Sequence, residues 1–382
     1  MLFDSLAMQK MLQKYKDWSD TRVPEVVLLG RSQTAATERL YLESLAGLVP
    51  ESRQKDLVGR FVINNNHQHL GAWFQLMLFG WLNEVASSNA GETLFEPEIE
   101  GNYPDFALNL PHLQTLVNNP SPTNPTNPTI IVEARAYVMD DAERRHEQRI
   151  LETSHWLAQI AKPFVVTLQQ LEFGTAALEG SRLVREVTRW LERTPSRPFL
   201  FQDGVGNRFL FNAAADEALT KLMLVDQTIQ AQRLNLKSLR NPLQEKAKQH
   251  EALRRAGYPY IVALMLESQR YHVDNVVEAW FGKLQTANAS AEGQHLLLSK
   301  QEQTIDISGL FFGGAQTRFK TISGTLVFRP VWSEQLQRRT LQAWFIQNPF
   351  TSAPLDLAMF PLVASFNVVA QDEASYTMGW QL

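Results

Sequence analysis

With 382 residues, 44% of them hydrophobic and 20% charged, the chain carries enough apolar material for one large or two ordinary folded domains, which excludes disorder as its theme. It contains no cysteine, so disulfides, thiolate zinc sites and cysteine nucleophiles are excluded, in keeping with a reducing, cytoplasmic setting. A formal net charge of -4 speaks against a protein that coats nucleic acid indiscriminately, the start lacks the apolar core of a signal peptide, and no apolar run is long enough to span a membrane.

The first sixty residues read as helices with a break at Val23-Pro24, resuming over 34–48 and 50–61, and are expected to brace the rest. A longer helix is expected over 67–85. His67 and His69, two positions apart at its start, lack the four-residue spacing that puts two histidines on one face for a metal, so capping or packing is expected of both. A strand is expected over 94–100. In 104–110, Phe106, Leu108 and Leu110 alternate with Asp105, Ala107 and Asn109, a second strand, and the β-branched run Thr129 to Val132 reads as a third, more deeply buried one. The proline-rich stretch 118–128 between them is expected to be an exposed, mobile hairpin tip or an insertion. If the two strands pair, Asp105 and Glu133 lie on the same side of the ladder, close enough to share one hard cation, Mg2+ or Mn2+, through oxygen ligands. Spacing leaves the plainer reading open, since a strand-end Asp is also a turn former.

An arginine-rich helix is expected over about 141–161. Its Arg144, Arg145, His146 and Arg149 either approach a substrate backbone near the carboxylates or form salt bridges with Glu143, Glu147 and Glu152. The stretch 163–168 reads as the next strand. On a helix over 180–194, Arg182, Arg185, Arg189 and Arg193 fall at spacings of three, four and four, one narrow face, while Leu183, Val187, Trp190 and Leu191 would dock on a sheet. That arginine face is either a phosphate-contacting surface or a solvated face partly neutralised by Glu186 and Glu192. A hairpin follows over 199–211. The helix 238–256 and strand 258–266 then echo the earlier helix and strand, each strand with a proline near its start, through duplication or the ordinary grammar of α/β folds. Lys246 on that helix reads as solvent-facing, with reach to the carboxylates as the alternative. A loose polar stretch is expected over 282–292 and a strand over 317–328, and Trp332, Trp344, Phe345 and Phe350 read as core rather than as base-stacking aromatics.

The order helix, three strands, helix, strand, with Asp105 and the Glu133-Ala134-Arg135 triplet on successive strands, resembles the restriction-endonuclease-like core of the PD-(D/E)xK nuclease superfamily. The likeness extends to a group of bacterial proteins with this core, through Leu28-Leu29-Gly30-Arg31-Ser32, Gln68-His69, Phe74-Gln75-Leu76, Lys246-Ala247, Pro259-Tyr260-Ile261-Val262-Ala263, Ala279-Trp280-Phe281-Gly282 and Asn348-Pro349. The resemblance implies a mixed α/β fold with a helical brace over 1–60, an αβββαβ core over 61–195 and a C-terminal α/β region over 196–382. It further implies metal-dependent hydrolysis of DNA, with Asp105 and Glu133 as metal ligands. Two departures qualify the activity. The helix carboxylate is Gln75, whose amide adds no negative charge, and the motif lysine is Arg135, which stabilises developing phosphorane charge but cannot act as a base. Arg145 or Arg149 would then share that charge stabilisation. The rival expectation is a nuclease-derived protein that binds nucleic acid or a partner protein without cutting, for instance within a larger anti-phage assembly.

Overall fold

The computed structural model describes residues 2–17, 24–63, 65–111, 129–137, 149–150, 152–172, 174, 178–216, 218–226, 236–267, 273–281, 322–349, 351, 353, 355, 357–370 and 376–381. The fold is mixed α/β, as expected, and the chain divides into two compact units. One comprises residues 1–138 and 235–382, the other residues 139–234. The stretch 61–195, read from the sequence as one core, therefore contributes to both.

The larger unit is built on an eight-stranded sheet in the order β1-β2-β3-β8-β9-β10-β11-β12. Its strands are β1 (Glu92–Phe95), β2 (Phe106–Asn109), β3 (Thr129–Tyr137), β8 (Tyr260–Leu266), β9 (Gly324–Ser333), β10 (Arg338–Gln347), β11 (Ala364–Ala370) and β12 (Tyr376–Gln381). β1, β2 and β3 pair antiparallel, β8 lies parallel between β3 and β9, and β9 and β10 form a long antiparallel hairpin. All seven residues of β8 are buried, as befits a near-continuous apolar run at the centre of a sheet covered on both faces.

Five helices precede β1, namely α1 (Leu6–Lys14), α2 (Glu25–Arg31), α3 (Ala36–Leu48), α4 (Glu51–Phe61) and α5 (Asn66–Ser88). Trp73, Phe74, Leu76, Met77, Leu78 and Leu82 are all at most 2% exposed, so α5 is apolar around most of its circumference. A helix with that pattern must be covered on every side. The core joins it to Val26, Leu42, Leu57 and Phe61 of the brace and to Phe106, Ile130, Val132, Ala134, Ile261 and Phe328 of the sheet. Asn65 caps α5, its side chain accepting from the backbone N–H groups of His67 and Gln68.

The smaller unit holds a four-stranded sheet in the order β5-β6-β4-β7, from β4 (Phe164–Glu172), β5 (Phe199–Gln202), β6 (Arg208–Ala215) and β7 (Met223–Asp226). Its helix α6 (Gly180–Arg193) seats Leu183, Val187, Trp190 and Leu191 in a core with Val166, Leu168, Phe201, Phe209 and Phe211. The expected hairpin is β5 with β6.

Several expectations are corrected. The strand expected at 163–168 is β4, and it pairs with β6 and β7 instead of continuing the sheet of β1 to β3. Its second half, Gln169-Gln170-Leu171-Glu172, is polar, which suits a sheet with an open side, whereas the place beside β3 requires a strand buried on both faces and is taken by β8. The helix that precedes β8 is also shorter than expected. It is α7 (Leu236–Lys248), separated from the one-turn α8 (Glu251–Arg255) by His250 in a left-handed conformation with φ 50°. The first strand ends at Phe95 rather than at residue 100, because Glu96 also has a positive φ of 42°. Phe345 is core, but Trp332 is 44% exposed. The stretches 118–128, 141–148 and 282–292 and Phe350 lie outside the described residues, and of the strand expected at 317–328 the described part begins β9.

A buried acid pair closed by a lysine

The register that pairs Phe106 with Val132 brings Asp105, one residue before β2, opposite Glu133 at the middle of β3. The backbone N–H of Asp105 donates to Glu133 Oε1 at 3.1 Å, and the N–H of Ala134 donates to Asp105 Oδ2 at 2.8 Å. Both carboxylates are withdrawn from solvent, with side-chain exposures of 16% for Asp105 and 2% for Glu133.

Two buried like charges this close need a counter-charge. Lys246, in the last turn of α7, supplies it: its ammonium donates to Asp105 Oδ2 at 2.8 Å and to Glu133 Oε2 at 2.7 Å. The buried hydroxyl of Tyr260 on β8 holds the backbone in place by donating to the carbonyl of Lys246 at 2.9 Å. His250 adds to the cluster, with Nε2 3.0 Å from Glu133 Oε1 and Nδ1 3.3 Å from Asn102 Oδ1. Burial, reinforced by the charge of Glu133 and opposed by Lys246, raises the Asp105 carboxyl to about 6. Burial would raise Glu133 too, but the bond to His250 and the charge of Lys246 outweigh it and hold this carboxyl below its ordinary value. The two carboxylates likewise outweigh the effect of burial on Lys246 and raise it.

Gln75 reaches the pair from α5, oriented opposite to the way a metal ligand would be. Its Nε2 donates to Asp105 Oδ1 at 2.9 Å, while its Oε1 accepts from Arg60 of α4 at 2.5 Å. Arg60 is in turn held by Asp56 at 2.8 Å and Glu96 at 3.0 Å. The amide thus orients Asp105 and keeps its only strong acceptor turned away. What remains for a cation is the pair of carboxylates, which already share one cationic atom, the Lys246 ammonium. Among the described residues, no group of three His, Cys, Asp or Glu side chains forms a metal cage.

An open cavity of about 420 Å³ adjoins the cluster, bordered by Arg60, His67, Gln75, Asp105, Arg135 and Lys246. Arg135 is exposed at this cavity and makes no ion pair with either carboxylate among the described residues. The expectation that Lys246 faces solvent is therefore corrected: its side chain is 15% exposed and pairs with both acids, the alternative that the sequence left open. Sequence reasoning also passed over His250 and Arg60. The readable signal for the former was its four-residue spacing from Lys246, whereas Arg60 carries no signal, since its role depends on how α4 packs against α5. His69 is fully buried and packs as expected, its Nδ1 2.7 Å from the carbonyl of Phe61, and His67 is exposed at the cavity.

The other candidate cations lie in the smaller unit. Arg149 donates to Asn207 Oδ1 at 3.0 Å and Arg145 is outside the described residues. On α6, Arg182 bonds Glu186 at 2.7 Å and Glu179 at 3.3 Å, while Arg185, Arg189 and Arg193 are exposed. The one face expected for the four arginines is thus split into one paired residue and three presented to solvent. No described helix is long and apolar enough to cross a membrane. Comparison of the chain with protein-family models, with curated proteins and with solved structures returned no match.

Proposed function

We propose that the protein hydrolyses phosphodiester bonds in DNA at a site of the PD-(D/E)xK kind, with Asp105 and Glu133 holding Mg2+ or Mn2+. The observation that carries this reading is the convergence of the two carboxylates on a single cationic atom beside an open cavity bordered by arginines. The element order α5, β1, β2, β3, α7, β8 supports it, since it follows the helix, three strands, helix, strand of the resemblance once residues 139–234 are set aside as an insertion.

The cation, when bound, lowers the pKa of a coordinated water and neutralises charge on the scissile phosphate. Arg135, exposed at the cavity, contacts the phosphate and stabilises the charge that accumulates as water oxygen bonds to phosphorus and the bond to the leaving sugar oxygen breaks. Lys246 takes over the work expected of the motif lysine, from a helix instead of from β3. Gln75 and Arg60 fix the rotation of Asp105. Arg185, Arg189 and Arg193 give the smaller unit, by itself, a face suited to contacts with a nucleic-acid backbone, which carry no sequence information.

A second reading, binding without cutting, is favoured by one feature: all four carboxylate oxygens of the pair already accept from protein donors. Calorimetry with Mg2+ and Mn2+ on the wild type and Asp105→Ala, with plasmid nicking on the same preparations, separates the two. Metal binding and nicking that vanish together with Asp105 are expected. A wild type that binds no metal at millimolar concentration sinks the hydrolytic reading and leaves the binding one.

A further inference from the structure

We infer that Lys246 is a displaceable stand-in for the divalent cation, and that its departure couples metal loading to the arrival of a phosphate group in the adjoining cavity. The inference rests on the proposed role of Asp105 and Glu133 as a cation site and concerns how that site is regulated.

The ammonium stands 2.8 Å from one carboxylate and 2.7 Å from the other, the position from which one cation serves both. A metal ion and the ammonium cannot occupy that position together, and two cations crowded against the same two oxygens would repel. The backbone of Lys246 is not free to withdraw, because Tyr260 holds its carbonyl, so the side chain must move by rotation about its own four-carbon stem. Room exists for that movement. The cavity is bordered by Lys246 itself, and part of its wall is small: Gly71, Ala72, Ala134 and Ala136.

The destination has a condition attached. Arg60 and Arg135 border the same cavity, and while Arg60 is paired with Asp56 and Glu96, among the described residues Arg135 makes no ion pair with the acids, so an ammonium that swings into the cavity approaches the Arg135 guanidinium. That repulsion disfavours displacement while the cavity holds only water. An anionic phosphate reverses the balance, since the displaced ammonium and Arg135 each gain a partner on its arrival. Metal affinity is therefore low in the free protein and rises when phosphate is bound, and by linkage the metal tightens phosphate binding to the same degree. The arrangement withholds the reactive ion until a substrate is in place.

The test is Mn2+ calorimetry, alone and with thymidine 5′-monophosphate, on the wild type and Lys246→Met. The nucleotide is expected to tighten Mn2+ binding to the wild type by about tenfold, and Lys246→Met is expected to bind Mn2+ alone more tightly than the wild type by a similar factor and to respond less to nucleotide. Because the variant leaves two buried carboxylates without a counter-charge, which weakens the fold in the absence of metal, a second measurement uses the wild type. Acylation of Lys246 by a succinimidyl ester, followed by mass spectrometry, should increase several-fold when Mn2+ and nucleotide are added together. Unchanged labelling, or a Lys246→Met protein that binds Mn2+ no more tightly than the wild type, overturns the inference. Plasmid nicking with a failed exchange test removes the stand-in role and leaves the hydrolytic reading; successful exchange without nicking does the reverse.

Discussion

Lys246 donates to Glu133 across 2.7 Å although 113 positions separate the two residues in the chain. The bond ties the last turn of α7 to the middle of β3, and it places a positive charge against a carboxylate with almost no access to water. Breaking such a pair by removing one member strands the other as an uncompensated buried charge. Lys246→Ala is accordingly expected to lower the unfolding free energy by about 3–5 kcal/mol in urea titrations, and millimolar Mn2+ to restore part of the loss. A stability within 1 kcal/mol of wild type, on the scale of about 0–1 kcal/mol seen for exposed pairs, would mean the bridge is only a surface contact.

Gln75 holds Asp105 by its amide nitrogen because Arg60 holds its oxygen. Gln75→Glu replaces the donor with a third carboxylate, which repels Asp105 in the free protein and adds a ligand for a metal. The variant should be less stable than wild type without metal and bind Mn2+ about tenfold more tightly, a gain of the size expected from added ligand charge. Calorimetry that shows equal or weaker Mn2+ binding would place position 75 outside the ligand shell.

Arg339 on β10 makes a second, partly buried cluster, bonded to the buried Glu38 of α3 at 2.8 Å and to Glu25 of α2 at 3.0 Å, with its guanidinium 4.6 Å from the centre of the Trp73 ring. This cluster pins the brace to the sheet. Arg339→Ala should cost about 3–5 kcal/mol of stability, by urea unfolding, without changing Mn2+ affinity per folded molecule. A change in metal affinity of the folded fraction would show that the brace also shapes the acid pair.

His69, buried beside that cluster, is held at about 4, chiefly by burial and against the pull of the Phe61 carbonyl and nearby Glu25. Its folded value lies below the ordinary 6.5, so between pH 6.5 and 4 the unfolded chain binds more protons and stability falls as pH falls, by on the order of 3 kcal/mol across the window. Asp105 has the opposite sign: raised from 3.8 to about 6, it contributes stability at low pH that is lost as pH rises through that range. The contribution of His69 is therefore read from the difference between wild type and His69→Gln, measured by urea unfolding at pH 7.5 and pH 5. A difference that does not change with pH would show that burial does not lower the His69 imidazole in the fold, and one that favours the wild type at pH 5 would show that His69 is charged there.

Arg185, Arg189 and Arg193 are exposed on α6, whereas Arg182 is bound to Glu186 and Glu179. If the three contact phosphate, changing all of them to Ala should weaken duplex binding equally across sequences and flatten the slope of log K against log salt by about 0.9 per residue. Arg182→Ala should affect the smaller unit's stability more than the slope. An unchanged salt slope in the triple variant would assign the face to solvation alone.

The local features were legible in the chain. The alternation around Asp105 and the β-branched run before Glu133 each define a strand without outside help, and a short antiparallel pairing puts the acids opposite one another because side chains repeat every two residues. The arginine spacing of α6 and its apolar face were equally readable, since helical periodicity depends on neighbours three and four positions away. Tertiary structure decided what completes the site. Two helix and strand pairs in the sequence were each suited to follow β3, and the one adopted is the one whose strand, β8, can be buried on both faces. That choice brought Lys246, His250 and Tyr260 to the acids from more than a hundred residues away, and the packing of α4 on α5 brought Arg60 to Gln75. Local periodicity carries no information about such meetings, because they are set by which surfaces exclude water together rather than by spacing along the chain.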